Sequence, residues 1–197
     1  LRQSPLHPQA SFLLGSIELE RGELGPACLH LAVAAGCLQA PDEAQAGFAR
    51  AYAALDPATR GGVLSEIAEM LIAHDAGERA APALRVLRLL GETEAALSLT
   101  DSVLVRFPKA GELLRIRGQL LNDSGRHGEA LIATETALEV LPDDCELLTA
   151  HSAMLAREGR PGEALTIAHR AADSSITHEG ADVRRAALIQ LMSCHIE

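Results

Sequence analysis

Between Glu112 and Ser124, Leu113, Leu114, Leu120 and Leu121 recur at the spacing that gathers side chains on one side of an α-helix. Gly125-Arg126-His127-Gly128 interrupts the pattern with turn-forming residues. From Glu129 to Leu141 the helical spacing resumes through Ala130, Leu131, Ala133, Thr134, Ala137, Leu138 and Leu141. Pro142 cannot continue a helix interior, and Asp143 and Asp144 favour the first turn of a following helix. The pattern predicts a helix, a tight turn, a second helix and a second turn.

That block recurs every 34 residues. Gly91, Gly125 and Gly159 form one series at this offset, and Ala96, Ala130 and Ala164 form another. Leu97, Leu131 and Leu165, then Leu87, Leu121 and Leu155, add two more, and Pro108 and Pro142 repeat at the end of the block. Residues 111–144 and 145–178 coincide at 11 of 34 positions, where a chain rich in Ala and Leu would coincide at about 3 or 4 by chance. A unit that cannot bury its apolar side alone is expected to stack on copies of itself.

The unit resembles the tetratricopeptide repeat, which has small residues at positions 8, 20 and 27, a large one at 11 and proline at 32. From Gly111 these positions hold Gly118, Ala130, Ala137, Leu121 and Pro142. From Cys145 they hold Ser152, Ala164, Ala171, Leu155 and Ile176, losing only the proline. From Gly77 they hold Leu84, Ala96, Val103, Leu87 and Pro108, with bulk at two small positions. Two less regular units start at Pro8, with Gly15, Glu18, Ala27 and Ala34 and Gly22 in the turn, and at Asp42, with Ala49, Tyr52, Gly61 and Ala68. One extra residue near Ala76 separates this second unit from the third.

The resemblance implies an all-α, right-handed α-solenoid of antiparallel helix pairs. Residues 1–7 would be an N-terminal extension, 8–76 two degenerate units, 77–178 three clearer units, and 179–197 a terminal or capping helix or the start of a sixth unit. The chain begins at Leu1 and runs to Glu197 inside an apparent helix, so it is expected to be part of a longer protein.

Composition agrees with helices packed through small side chains: hydrophobic residues make up 48%, carried mainly by Ala and Leu, while aromatics are 2%. A net charge of −10 argues against nucleic acid as the partner. No apolar run is long enough to span a membrane, and no signal-peptide pattern opens the chain. Cys28, Cys37, Cys145 and Cys194 form no CxxC pair and read as small apolar residues, which fits a reducing compartment and makes the cytoplasm the default location. A Cys28–Cys37 disulfide would have to join one helix to its own end.

The sequence offers little chemistry. His7, His30, His74, His127, His151, His169, His178 and His195 are scattered and read as surface or packing residues. There is no GxSxG, no metal-binding spacing and no cofactor motif, so no enzymatic activity and no cofactor are expected. Gly61-Gly62 reads as the small crossing position of the second unit. Glu66 with Glu69, and Asp143 with Asp144, read as solvated faces and a helix start.

What remains is a surface. In tetratricopeptide repeats the first helices line a concave groove, with positions 2, 5, 9, 12 and 13 facing a ligand. The resemblance therefore implies a groove displaying Arg85, Arg88, Arg115, Gln119, Asn122 and Arg157. Guanidinium groups hold carboxylates and side-chain amides pair with peptide backbone, so an extended acidic peptide or a C-terminal carboxylate is the expected ligand. The lysines of the chaperone-binding carboxylate clamp are missing. The asparagine ladder of O-linked N-acetylglucosamine transferase is missing too, since position 6 holds Pro82, Ile116 and Ala150. A protein-interaction scaffold is the first reading. The second is the non-catalytic repeat region of an enzyme such as a glycosyltransferase or sulfotransferase, and the third a helical regulator that binds a small molecule or nucleic acid between its units, the overall acidity counting against nucleic acid.

Overall fold

The computed structural model describes residues 7–37 and 42–178. The helix expected over 179–197 lies outside the described residues, as do Cys194, His195 and most of the expected N-terminal extension. Among the described residues there are ten α-helices and no strand: α1 Pro8–Arg21, α2 Leu24–Ala35, α3 Asp42–Ala54, α4 Pro57–Ala73, α5 Ala81–Leu89, α6 Thr93–Arg106, α7 Gly111–Asp123, α8 His127–Val140, α9 Cys145–Arg157 and α10 Pro161–His178. A short 3-10 turn, Gly77–Ala80, precedes α5. In the unit from Gly111 the helix ends fall within about two residues of the expected ones. The chain divides into two compact bodies, one up to Ile116 and one from Arg117, with α7 contributing to both.

In the first body α1 packs on α2, α2 on α3, and α4 and α5 on α6. The small positions work as expected at the first crossing: a Cβ added to Gly15 would come 2.7 Å from Leu31 Cγ. Ala27, Ala34, Ala96 and Val103 are fully buried at the equivalent small positions of the second helices. Where position 11 carries Glu18 instead of a large apolar residue, its carboxylate meets His30 Nδ1 across the α1–α2 pair at 2.7 Å. Burial pushes the Cys28 thiol up to about 12, and no disulfide joins the described cysteines.

In the second body α8 packs on α9 and α9 on α10. A Cβ at Gly118 would lie 2.7 Å from Thr134 Cγ2, and Ala130, Ala137, Ala164 and Ala171 are fully buried. Thr134 is also buried and lies 2.7 Å from Nδ1 of the buried His151, joining α8 to α9. Asp144 caps α9 by accepting from the Leu147 backbone N–H at 2.8 Å.

The turn inside each unit follows one rule with one exception. Gly22, Gly91, Gly125 and Gly159 all have φ between 74 and 77°, the left-handed conformation that glycine adopts without a side-chain clash. After each, the next residue's N–H returns to the carbonyl at position 11: Glu23 to Glu18, Glu92 to Leu87, Arg126 to Leu121 and Arg160 to Leu155, at 2.9–3.0 Å. The second unit has Asp56-Pro57 there, and Pro57 has no N–H to give. Asp56 instead caps α4, accepting from the Ala58 N–H at 3.1 Å. Arg60 reaches back to the carbonyls of Leu55 and Ala53, both at 3.3 Å.

Helix α4 buries Val63, Leu64, Ile67, Ala68 and Leu71; allowing for the one extra residue, Leu64 and Ala68 match the buried Leu99 and Val103 of α6, while α6 also buries Ala96 and Leu97 nearer its start. Gly61 consequently does not stand at a crossing, contrary to the sequence reading: it is exposed, and a Cβ added there would meet nothing within 4 Å. The extra residue near Ala76 is absorbed by Asp75, a non-glycine at φ 53°, and by the 3-10 turn that follows.

Ala130→Phe should overpack the α8 crossing and destabilise the chain by about 1–3 kcal/mol in denaturant unfolding; an unchanged midpoint would contradict the crossing. Gly125→Ala should cost about 1–2 kcal/mol because of its left-handed φ, whereas Gly128→Ala, in open space in the first turn of α8, should stabilise by about 0.4–1 kcal/mol. Thermal scans must show opposite signs for the pair. Burial holds the His151 imidazole below its usual range, so the unfolded chain takes up this proton first as pH falls through the ordinary histidine value. Stability should therefore decline from pH 7 toward pH 5, and His151→Gln should flatten that slope.

Candidate functional site

The residues singled out from the sequence fall on the first helices of the third, fourth and fifth units. In the first body these are Arg85 and Arg88, both exposed on α5, and Arg115 on α7. Glu112, in the first turn of α7, organises them: Arg115 Nε donates to its Oε2 at 2.9 Å and a terminal nitrogen donates to Oε1 at 2.8 Å. Arg85 donates to the same Oε1. Arg115 is largely withdrawn from solvent, its side chain 12% exposed, while that of Arg85 is 50% exposed. Burial alone would raise the Glu112 pKa, but the hydrogen bonds and charges of Arg115 and Arg85 outweigh it and hold the carboxyl below its ordinary range.

In the second body Gln119 Nε2 on α7 donates to Glu146 Oε1 on α9 at 3.2 Å. Arg157, in the last turn of α9, donates to Asn122 Oδ1. Both partners in each bond come from first helices of successive units. Arg85 to Glu112 and Gln119 to Glu146 are one arrangement used twice: position 9 of a unit bonded to position 2 of the next, 27 residues on.

Two acidic residues therefore belong to this face that the sequence reading passed over. Glu78, Glu112 and Glu146 form a 34-residue series at position 2, one of the positions expected to face a ligand. That series was the available signal. Their inclusion alters the electrostatics within each body: the guanidinium and amide donors already hold a carboxylate or a carbonyl. Exposed pairs of this kind contribute little to stability. Their effect is to fix long side chains in one orientation.

The described residues hold no group of three or more His, Cys, Asp or Glu arranged to bind a metal ion, and none of their helices is long and apolar enough to cross a membrane.

No protein-family model matches the chain, and no curated protein matches it in sequence. Solved structures do resemble it. YrrB, a tetratricopeptide-repeat protein with an unusual peptide-binding site, superposes with a TM-score of 0.52 at 16% identity, over 95% of this chain and 93% of its own. TTC0263, a tetratricopeptide-repeat protein of Thermus thermophilus, gives 0.51 at 22% identity over 94% of this chain and 100% of its own. MamA of Desulfovibrio magneticus gives 0.52 at 16% identity over 88% and 97%. The recurring helix pair, the small residues at its crossings and these likenesses agree: the chain has the fold of the tetratricopeptide-repeat helical solenoids.

Proposed function

We propose that the chain is a non-catalytic interaction module that binds an extended, carboxylate-bearing peptide segment of a partner protein through residues of its first helices. Arg85, Arg88 and Arg115 in the first body and Gln119, Asn122 and Arg157 in the second are the contact residues of this reading. The observation that carries it is the grip of Arg85 and Arg115 on Glu112. Two guanidinium groups are already set at carboxylate-binding geometry, and Arg85 keeps half of its side chain in solvent, where an incoming acid can reach it. Gln119 and Asn122 supply the side-chain amides that suit peptide backbone. The peptide-binding site of the similarly folded YrrB supports the same class of ligand.

The partner need not be identified for the test. A displayed random-peptide library selected on the chain should enrich Asp and Glu. The selected peptides, re-synthesised with Gln and Asn in their place, should bind roughly tenfold or more weakly by fluorescence anisotropy, the scale of one lost charge-assisted hydrogen bond. Arg85→Glu with Arg88→Glu should abolish that preference without shifting the thermal midpoint by more than a few degrees. Enrichment of basic or uncharged peptides, or equal binding by the double variant, would overturn the reading.

A further inference from the structure

The second body holds a pocket of about 210 Å³ whose walls are Glu135 of α8, His151 and Leu155 of α9, and Thr166 and Ile167 of α10. None of these residues belongs to the peptide reading. His151 is 4% exposed, and its Nδ1 lies 2.7 Å from Thr134 Oγ1. Thr134 Oγ1 in turn lies 2.9 Å from the Leu131 carbonyl oxygen. The hydroxyl has one proton to give, and its counterpart Thr100, 34 residues earlier, gives its own to the Ala96 carbonyl at 2.7 Å. Used in the same way, Thr134 donates to Leu131 and accepts from Nδ1–H, which leaves Nε2 as a bare lone pair. Nε2 makes no hydrogen bond within the protein. It is not sealed in, however: among the described residues Tyr52 Oη is the one enclosed side-chain nitrogen or oxygen without a partner. The little surface that Nε2 keeps is therefore on the pocket that His151 lines.

Two more acceptors share this space. The exposed Glu135 carboxylate holds no hydrogen bond or ion pair. Thr166 gives its proton to the Gly162 carbonyl at 3.1 Å, so its oxygen is left to accept. Arg160 and Glu163 also border the pocket, but Arg160 donates to both carboxylate oxygens of Glu163 at 2.7 Å, and the pair cancels its own charge. Arg170, the remaining charge of α10 that acts on the imidazole, donates to the Pro142 carbonyl at 2.9 Å. Burial, opposed by Glu135 and Glu163 and aided by Arg160 and Arg170, holds the imidazole below its usual range, which keeps the lone pair available at neutral pH.

The walls thus present three separate acceptors, one uncompensated negative charge and the apolar side chains of Leu155 and Ile167. An ammonium has three rotatable N–H donors and one positive charge, and its methylene stem suits an apolar wall. A guanidinium matches less well, because its planar fork is shaped for one carboxylate. The volume falls below the range of roughly 300–1,000 Å³ for drug-sized ligands, which suits a single side chain or a small amine. We infer that this pocket binds a primary ammonium on an aliphatic stem, as carried by a partner's lysine or a free alkylamine, through His151 Nε2, Glu135 and Thr166.

Long-range proton–nitrogen NMR of the imidazoles tests this on the whole chain, with His151→Gln identifying the His151 signals. The free chain should show the Nδ1–H tautomer at His151. Nα-acetyl-lysine methylamide and n-butylamine should each move Nε2 saturably in roughly the millimolar range, the scale for ligands of so few atoms. Tighter binding of the lysine derivative assigns the site to a partner's side chain, and tighter binding of butylamine to a free amine. Acetylating the lysine Nε keeps the stem and removes the charge, and should remove the response. Glu135→Gln, at an exposed position, should weaken binding about tenfold, the loss of one charge-assisted hydrogen bond. Bound amine should also shift the His151 titration to lower pH, because protonation consumes the lone pair that the ammonium uses. An Nε2–H tautomer in the free chain, an Nε2 signal unmoved by both amines, equal binding of the acetylated derivative, or full affinity in Glu135→Gln would each overturn the inference. None of these outcomes bears on the peptide reading, which rests on other residues.

Discussion

Everything in this chain depends on how closely two helices of a unit can approach. At Gly15 and Gly118 the facing side chain sits where a methyl group would already collide. On the second helices of the same pairs Ala27 and Ala130 have no measurable exposure. Close approach places Leu and Val side chains in contact on both flanks and lets dispersion and burial act over the length of each pair. With only 2% aromatic residues, the chain has few large side chains that could fill a wider gap. Small residues at the crossings are thus the condition under which an Ala- and Leu-rich sequence can form a core.

The turn chemistry is subordinate to that contact but decides its direction. A left-handed glycine followed by a backbone donor returns the chain so that the second helix presents the correct stripe. Replacing the pair by Asp56-Pro57 removes both the conformation and the donor. The helix still forms, capped by Asp56 and tied to the end of α3 through Arg60. Ala68 remains buried at the later small position, while Gly61 at the earlier one is left exposed.

Much of this was legible in the sequence because it is local and periodic. The 34-residue offset and the turn glycines follow from spacing, and the small positions from Gly111 onward and the extra residue near Ala76 follow once the resemblance supplies the register. The behaviour of Gly61 did not. Its position matched the repeat, but the turn before it has Asp56-Pro57 in place of a left-handed glycine and a backbone donor, and the first turn of α4 lies exposed. The arginine positions come from the repeat register, and the register says nothing of their bonding partners. Arg85, Arg115 and Gln119 were recognised one at a time, whereas their orientation comes from Glu112 and Glu146, whose equal spacing in the chain becomes meaningful only when helices of successive units lie side by side.

The turn glycines also bear on which parts of the chain are interchangeable. Gly91, Gly125 and Gly159 share one backbone geometry to within a few degrees and one closing hydrogen bond, so the blocks they divide begin and end on equivalent joints. Blocks of that kind can be duplicated or removed in whole multiples with the cut faces still complementary. The joint at Asp75 and the 3-10 turn does not have this property. It shifts the count by one residue, so a block exchanged across it would not keep the 34-residue register, and Asp75 marks the place where that register is reset.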